Sequence, residues 1–183
     1  MHRITGIFSA KGGTGKTTFV LNFASALHEF GKDVIMIDCD VDNSNLSLHL
    51  GLYDFPLTLQ DVMAGDTNFL EAVHVHSSGL RIVPAAITLR DYKISLERLR
   101  DMLKKLKYHF IIDTPPGMGD DVTSLMSICD DIIVITQPDI PSLADSLKSI
   151  QRARDLGKMV KGIVVNKTEG KNELSLSDIE KVC

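Results

Sequence analysis

Residues 11–18 run Lys11-Gly12-Gly13-Thr14-Gly15-Lys16-Thr17-Thr18, and the chemistry open to that order is the cradling of phosphate. Glycines let successive backbone N–H groups turn inward around an anion, and the positive end of a helix that follows adds its dipole. Lys16 is placed to reach a β- or γ-phosphate, the Thr17 hydroxyl to ligate Mg²⁺, and Thr18 to meet the α-phosphate. The strict phosphate-loop pattern begins with glycine, where this chain has Ala10. In exchange it carries a second lysine, Lys11, at the head of the loop.

Three more polar clusters each follow an apolar run. Asp38-Cys39-Asp40 follows residues 34–37, Asp113-Thr114-Pro115-Pro116-Gly117 follows residues 110–112, and Asn166-Lys167 follows residues 160–165. Two carboxylates beside a phosphate site hold a cation or orient water, because unpaired they would repel the ligand. Asp113 at a strand end fits a carboxylate that holds Mg²⁺ through water. An asparagine at position 166 can both donate to and accept from a purine edge, which a carboxylate cannot do. His74 and His76, two apart, have no third ligand near them in sequence and read as edge-strand or loop histidines. Cys129 lies on an apolar helix and reads as core.

The elements needed to position these clusters are legible from periodicity. Short apolar runs at residues 4–9, 34–37, 80–83, 110–112, 132–135 and 160–165 predict buried strands. Between them, apolar residues recur at helical spacing: Phe19, Val20, Phe23, Ala24, Leu27 and Phe30 ahead of a capping Gly31, and Leu96, Leu99, Met102, Leu103 and Leu106 behind Ser95. Residues 122–129, 143–156 and 176–182 also predict helices, as do the shorter stretches 57–64 and 68–73. Fully apolar strands alternating with amphipathic helices indicate a three-layer α/β domain, its mostly parallel sheet covered on both faces. All four clusters then fall at strand C-termini, where such sheets form their ligand crevice.

Composition narrows the function. At 183 residues the chain is one domain on a prior of roughly 100–200 residues each. Twenty Lys and Arg against 24 Asp and Glu give a net charge of −4, which argues against sequence-independent nucleic-acid binding by the bulk surface. Lys104, Lys105 and Lys107 read as the solvated face of a helix. Three scattered cysteines without a C-x-x-C make neither a disulfide framework nor a zinc ribbon and point to a reducing cytoplasm. No run approaches 18 apolar residues, and the N-terminus is not a signal peptide.

The Lys11–Thr18 run resembles the deviant Walker A motif of the MinD/ParA family of P-loop ATPases, whose hallmark is the early lysine. The resemblance runs from residue 3 to about residue 167 in motif order. It implies a P-loop NTPase fold, ATP or ADP with Mg²⁺ as ligands, and ATP hydrolysis. Lys11 is then expected to reach across a homodimer to the partner's nucleotide, and Lys16 to serve catalysis with it. Asp38-Cys39-Asp40 with Asn45-Leu46 resembles the family's switch I, which makes Asp40 the residue that positions attacking water and the metal. Residues 113–117 resemble its Walker B and switch II, and Asn166 stands where the family commonly reads adenine. Thr17, Asp40 and Asp113 are the implied metal set, and Gly12, Gly13, Thr14, Gly15 and Thr18 complete the nucleotide cradle.

The whole chain, 1–183, is expected to be a single P-loop ATPase domain lacking the family's C-terminal segment, since residues 174–183 begin a helix and end. Residues 175–183 show no amphipathic membrane helix, so membrane binding is not expected of this chain. An activating protein partner is implied but unidentified. Asn45-Leu46, the 87–94 region and the lack of a DNA-binding extension favour the MinD-like, division-site branch over DNA or flagellar positioning. A metallocluster-assembly or metal-insertion ATPase is the alternative within the superfamily; an electron carrier would need a ligand cysteine where Thr114-Pro115-Pro116 stands. A third reading is a binding module without turnover, against which Lys16, Thr17, Asp40 and Asp113 all argue.

Overall fold

A computed structural model describes residues 2–41, 44–86, 95–169 and 174–182. The 87–94 region and Cys183 lie outside the described residues.

The strands are β1 (Ile4–Phe8), β2 (Val34–Asp38), β3 (His74–Val75), β4 (Arg81–Val83), β5 (His109–Asp113), β6 (Asp131–Thr136) and β7 (Met159–Val165). They form one sheet in the order β3-β4-β2-β5-β1-β6-β7. Every pairing is parallel except that of β3 with β4. The helices are α1 (Lys16–Glu29), α2 (Leu46–His49), α3 (Leu59–Ala64), α4 (Leu96–Lys105), α5 (Asp120–Ile128), α6 (Ile140–Asp155) and α7 (Leu176–Val182).

Alternate residues of each strand feed two cores, as a pleated strand covered on both faces requires. Ile4, Phe8, Ile35, Ile37, Phe110 and Ile112 pack with Leu59 of α3, Leu99 and Leu103 of α4, and Leu125 and Met126 of α5. Ile7, Met36, Ile111 and Ile135 face the other way, onto Val20 and Ala24 of α1 and Leu46 of α2. Cys39 and Cys129 are both buried in the first core. Burial pushes both thiols up, Cys129 to about 12.

One local expectation changes, two short elements are added, and the histidines fall on an edge strand and the turn after it. Residues 68–73 form a turn and no helix: Glu71 accepts from the Thr67 hydroxyl at 2.6 Å, Asn68 accepts the Glu71 N–H, and the backbone bonds skip three residues. The Asn and Glu side chains offer the backbone a local alternative to a helix. Helix α2 and strand β3 are not predicted from periodicity; both are too short to carry a period. The histidines are engaged locally. His74 Nε2 lies 2.8 Å from the Leu57 carbonyl with its ring against Phe55, and His76 Nδ1 lies 2.8 Å from the Ser78 hydroxyl.

What this architecture does for the site is set by register. Parallel pairing of β2, β5 and β1 places Asp38 level with Asp113, and Asp113 level with Ile7. The two carboxylates and the start of the loop after β1 thus share one edge of the sheet.

Candidate nucleotide site

The loop from Ser9 to Gly15 turns back over the end of β1 before α1 begins at Lys16. Gly13 and Gly15 take left-handed φ of 70° and 95°, the conformation that aims neighbouring N–H groups to one side and that side chains resist. Beyond the loop lies a cavity of about 450 Å³, lined by residues 11–18 with Ser9, Asp40, Asn45, His49, Pro116 and Lys167. A Cβ added at Gly12 or Gly13 would meet nothing within 4 Å, so the cradle in front of them is open.

The far strands hold the loop in place. Asn166, at the end of β7, donates from Nδ2 to the Thr14 carbonyl at 2.8 Å, and its own N–H reaches Thr136 on β6 at 2.9 Å. Its amide fills the space a Cβ at Gly15 would need. The structure therefore gives Asn166 a loop-bracing contact in addition to any part in reading a base. Replacing Gly15 with alanine sets a side chain at φ 95° against that amide. ATP affinity should fall by about tenfold or more, read by titration with a fluorescent ATP analogue. Unchanged affinity would show that the loop is not braced this way.

Lys16 is buried, and its ammonium lies 3.1 Å from Asp113 Oδ1. The ion pair holds the lysine at the cavity floor, and a polyphosphate entering there would compete with Asp113 for it. Thr17 and Thr18 begin α1 and line the same cavity, Thr17 half-buried and Thr18 exposed. Lys11 is directed elsewhere. Its Nζ lies 3.2 Å from the Ser142 hydroxyl and 3.6 Å from Asp139, the N-cap of α6. It stays half-exposed at the cavity rim.

The segment after β2 that resembles switch I is organised by Asp38. Its Oδ1 accepts the Asp40 N–H at 3.0 Å, and its Oδ2 accepts the Ser44 hydroxyl at 2.9 Å and the Leu46 N–H at 3.4 Å. Asp40, brought round by this turn, is buried and faces the cavity. The segment after β5 that resembles switch II is tied to the loop by the Gly117 N–H donating to the Ser9 carbonyl at 3.0 Å, and Thr114 is anchored by its hydroxyl on the Ile7 carbonyl at 2.7 Å.

Burial raises the Asp38 carboxyl from 3.8 to about 7, and neighbouring Asp113 adds to the rise. A carboxyl with a raised folded pKa favours the fold while protonated. Its contribution is fully present below about pH 4 and is lost as pH climbs to about 7. Asp38→Asn removes the charge; its oxygen keeps the Asp40 N–H, and its amide donates to the Ser44 hydroxyl at the expense of the long Leu46 contact. It should raise the thermal midpoint of nucleotide-free protein at pH 8 and flatten the pH 4–7 dependence, as followed by circular dichroism melts. A midpoint at pH 8 no higher than that of the unsubstituted protein would contradict the assignment.

Two cavity residues escape sequence reasoning. His49 sits on the unforeseen α2, and Lys167 reaches the site through a left-handed φ of 57° just past β7. Only the position of Lys167 beside Asn166 at a strand end offered any signal. Among the described residues no three His, Cys, Asp or Glu group to hold a metal unaided. Mg²⁺ is bound through one or two carboxylates together with substrate phosphates. The residues present fit the ion: Thr17 and Asp113 lie at the loop, and Asp40 lies across the cavity.

A phosphate loop at the end of the central strand, a buried lysine on a strand-terminal Asp, and the segment after that Asp bonded to the loop define a P-loop NTPase. The model of the ParA family described as NUBPL iron-transfer P-loop NTPase matches residues 1–173, and the chain belongs to that family. It is 38% identical over 181 residues to an uncharacterized ATP-binding protein of Methanocaldococcus jannaschii, covering 96% of this chain and 69% of that one. It is 32% identical to the septum site-determining protein MinD of Synechocystis, covering 91% of this chain and 65% of that one. The solved structure of septum site-determining MinD with Mg-ADP from Pyrococcus horikoshii superposes with a TM-score of 0.90 at 34% identity, over 100% of this chain and 77% of that one. The chain thus spans about two thirds of the length of these curated relatives. It is a MinD/ParA-like ATP-binding P-loop ATPase by family.

Proposed function

We propose that this chain is a single-domain, Mg²⁺-dependent ATP switch that dimerises on ATP, hydrolyses it and separates, serving the spatial positioning of cell division in the cytoplasm. The observation that carries this reading is the division of labour between the two loop lysines. Lys16 is buried at the floor on Asp113, whereas Lys11 is half-exposed at the rim, held by side chains of α6. A lysine at the rim is positioned to leave its own subunit. Val41, Met118 and Ile140 are exposed apolar side chains on switch I, switch II and the start of α6, which suits a face that becomes covered.

In this reading the loop N–H groups and Lys16 hold the β- and γ-phosphates. Thr17, Asp40 and Asp113 would hold Mg²⁺, which would neutralise phosphate charge. Asp40 orients the attacking water, and Lys11 meets the partner's phosphates. Catalysis is by positioning and electrostatics. Asn166 meets the base while bracing Thr14. No described helix is long and apolar enough to cross a membrane. An activating protein partner is expected by kinship with the septum-site relatives. Iron handling, named in the family model's description, finds no support in Cys39 and Cys129, whose thiols are buried and held protonated.

Light scattering with Mg-ATP, and separately with Mg-ADP, tests the switch. ATP should double the mass, ADP should leave a monomer, and phosphate release should rise faster than linearly with protein concentration. A monomer under saturating ATP would overturn the mechanism.

A further inference from the structure

The nucleotide cavity lies at the C-terminal edge of the parallel strands, and the N-terminal edge carries a second cavity of about 240 Å³. His2 and Arg3 ahead of β1, Leu103, Lys104 and Leu106 at the end of α4, and Tyr108 ahead of β5 form much of its wall. The five residues of β1 separate the two cavities by about 17 Å, so no side chain serves both.

The chain is acidic overall, yet this edge is cationic. Arg3 and Lys104 line the cavity, with Arg100 and Lys158 close by. Arg3, Arg100, Lys104, Lys158 and Lys161 outnumber the acids beside them, Asp130, which lines the cavity and accepts the Ile4 N–H at 3.0 Å, and Asp131, which takes Arg3 at 2.9 Å and Lys161 at 3.6 Å. The excess positive charge is felt locally. Burial lowers the Lys158 ammonium and Arg100 lowers it further, partly opposed by Cys129 and Asp130, with Lys104 adding the last small decrease. Between the cations the wall is apolar, from Leu103, Leu106 and Phe110.

We propose that this edge docks an acidic segment of a partner protein, with one large apolar side chain seated in the cavity and flanking carboxylates on Lys104 and its neighbours. Small-molecule pockets usually run to about 300–1,000 Å³, and 240 Å³ is nearer the room needed by a single anchoring side chain, the usual form of an interface hot spot. Nucleic acid would want cations strung along an extended face to meet about 6–10 phosphates, whereas only Arg3 and Lys104 line this concavity. Charged groups at the rim speed encounter and select an acidic partner. None of this depends on the nucleotide site or its reading.

The test uses a labelled ten-residue peptide of Glu and Asp with one central Leu, and the same peptide with Ala in its place, followed by fluorescence anisotropy at low salt. The Leu peptide should bind about fivefold tighter or more. Lys104→Glu should weaken it about tenfold or more, whereas Lys105→Glu, with the same change in net charge, should have a much smaller effect. Circular dichroism melts verify that both variants fold, and Lys104→Gln offers a milder change. Equal binding of the two peptides, or equal losses in the 104 and 105 variants, would reduce the effect to bulk charge and overturn the proposal. So would tighter, Lys104-dependent binding of phosphatidylserine vesicles or a 20-base-pair duplex.

Discussion

Lys16→Ala is expected to abolish measurable ATP binding, lowering affinity by about a hundredfold or more. Charge-assisted hydrogen bonds to phosphate contribute about 1.5–3 kcal/mol each, and this lysine is the buried cation at the cavity floor. The loss has a second consequence inside the protein. Asp113 is 1% exposed and stands level with Asp38 in the sheet. Without Lys16 it is a buried carboxylate beside another, and breaking a buried pair from one side costs about 3–5 kcal/mol. The single variant should therefore melt earlier as well as fail to bind. Lys16→Met combined with Asp113→Asn removes both charges. It should recover most of the melting temperature without recovering ATP binding, which separates the phosphate role from the structural one. Isothermal titration and thermal melts read the two effects. Retained ATP affinity in the folded double variant would refute the assignment of the loop.

Lys11→Ala should behave in the opposite way. Its contacts to Ser142 and Asp139 are long and half-exposed, and ion pairs of that kind contribute about 0–1 kcal/mol. Stability should barely change, and ATP affinity should stay within about threefold. The ATP-dependent doubling of mass should vanish, and turnover should fall by about a thousandfold, as it does when a cation supplied in trans is withdrawn from a phosphoryl transfer. Light scattering and phosphate release measure these outcomes. A Lys11→Ala protein that still doubles its mass with ATP would show that the rim lysine does not bridge subunits. Together the two lysines, five residues apart in one loop, should give separable phenotypes: one variant that cannot bind, and one that binds without assembling.

The loop, the strand-terminal carboxylates and their order along the chain were legible in the sequence because each depends on a few consecutive residues. Gly13 and Gly15 permit the left-handed turns, the apolar runs before Asp38, Asp113 and Asn166 make buried strands, and parallel strands put their C-terminal ends on one edge. That local information sufficed for the three-layer fold and for the membership of the loop in the site. It failed where an element was too short to show a period, as with α2, β3 and the turn at residues 68–73. Only the tertiary structure decided where the side chains went. Asn166 braces Thr14 across 152 positions, Lys11 rests on Ser142 across 131, and Lys16 meets Asp113 across 97. The raised Asp38 carboxyl likewise needs the burial and the neighbouring Asp113 that register supplies. Backbone conformation is written in neighbours along the chain, whereas the partner and the protonation of a buried polar group depend on whatever packing brings beside it.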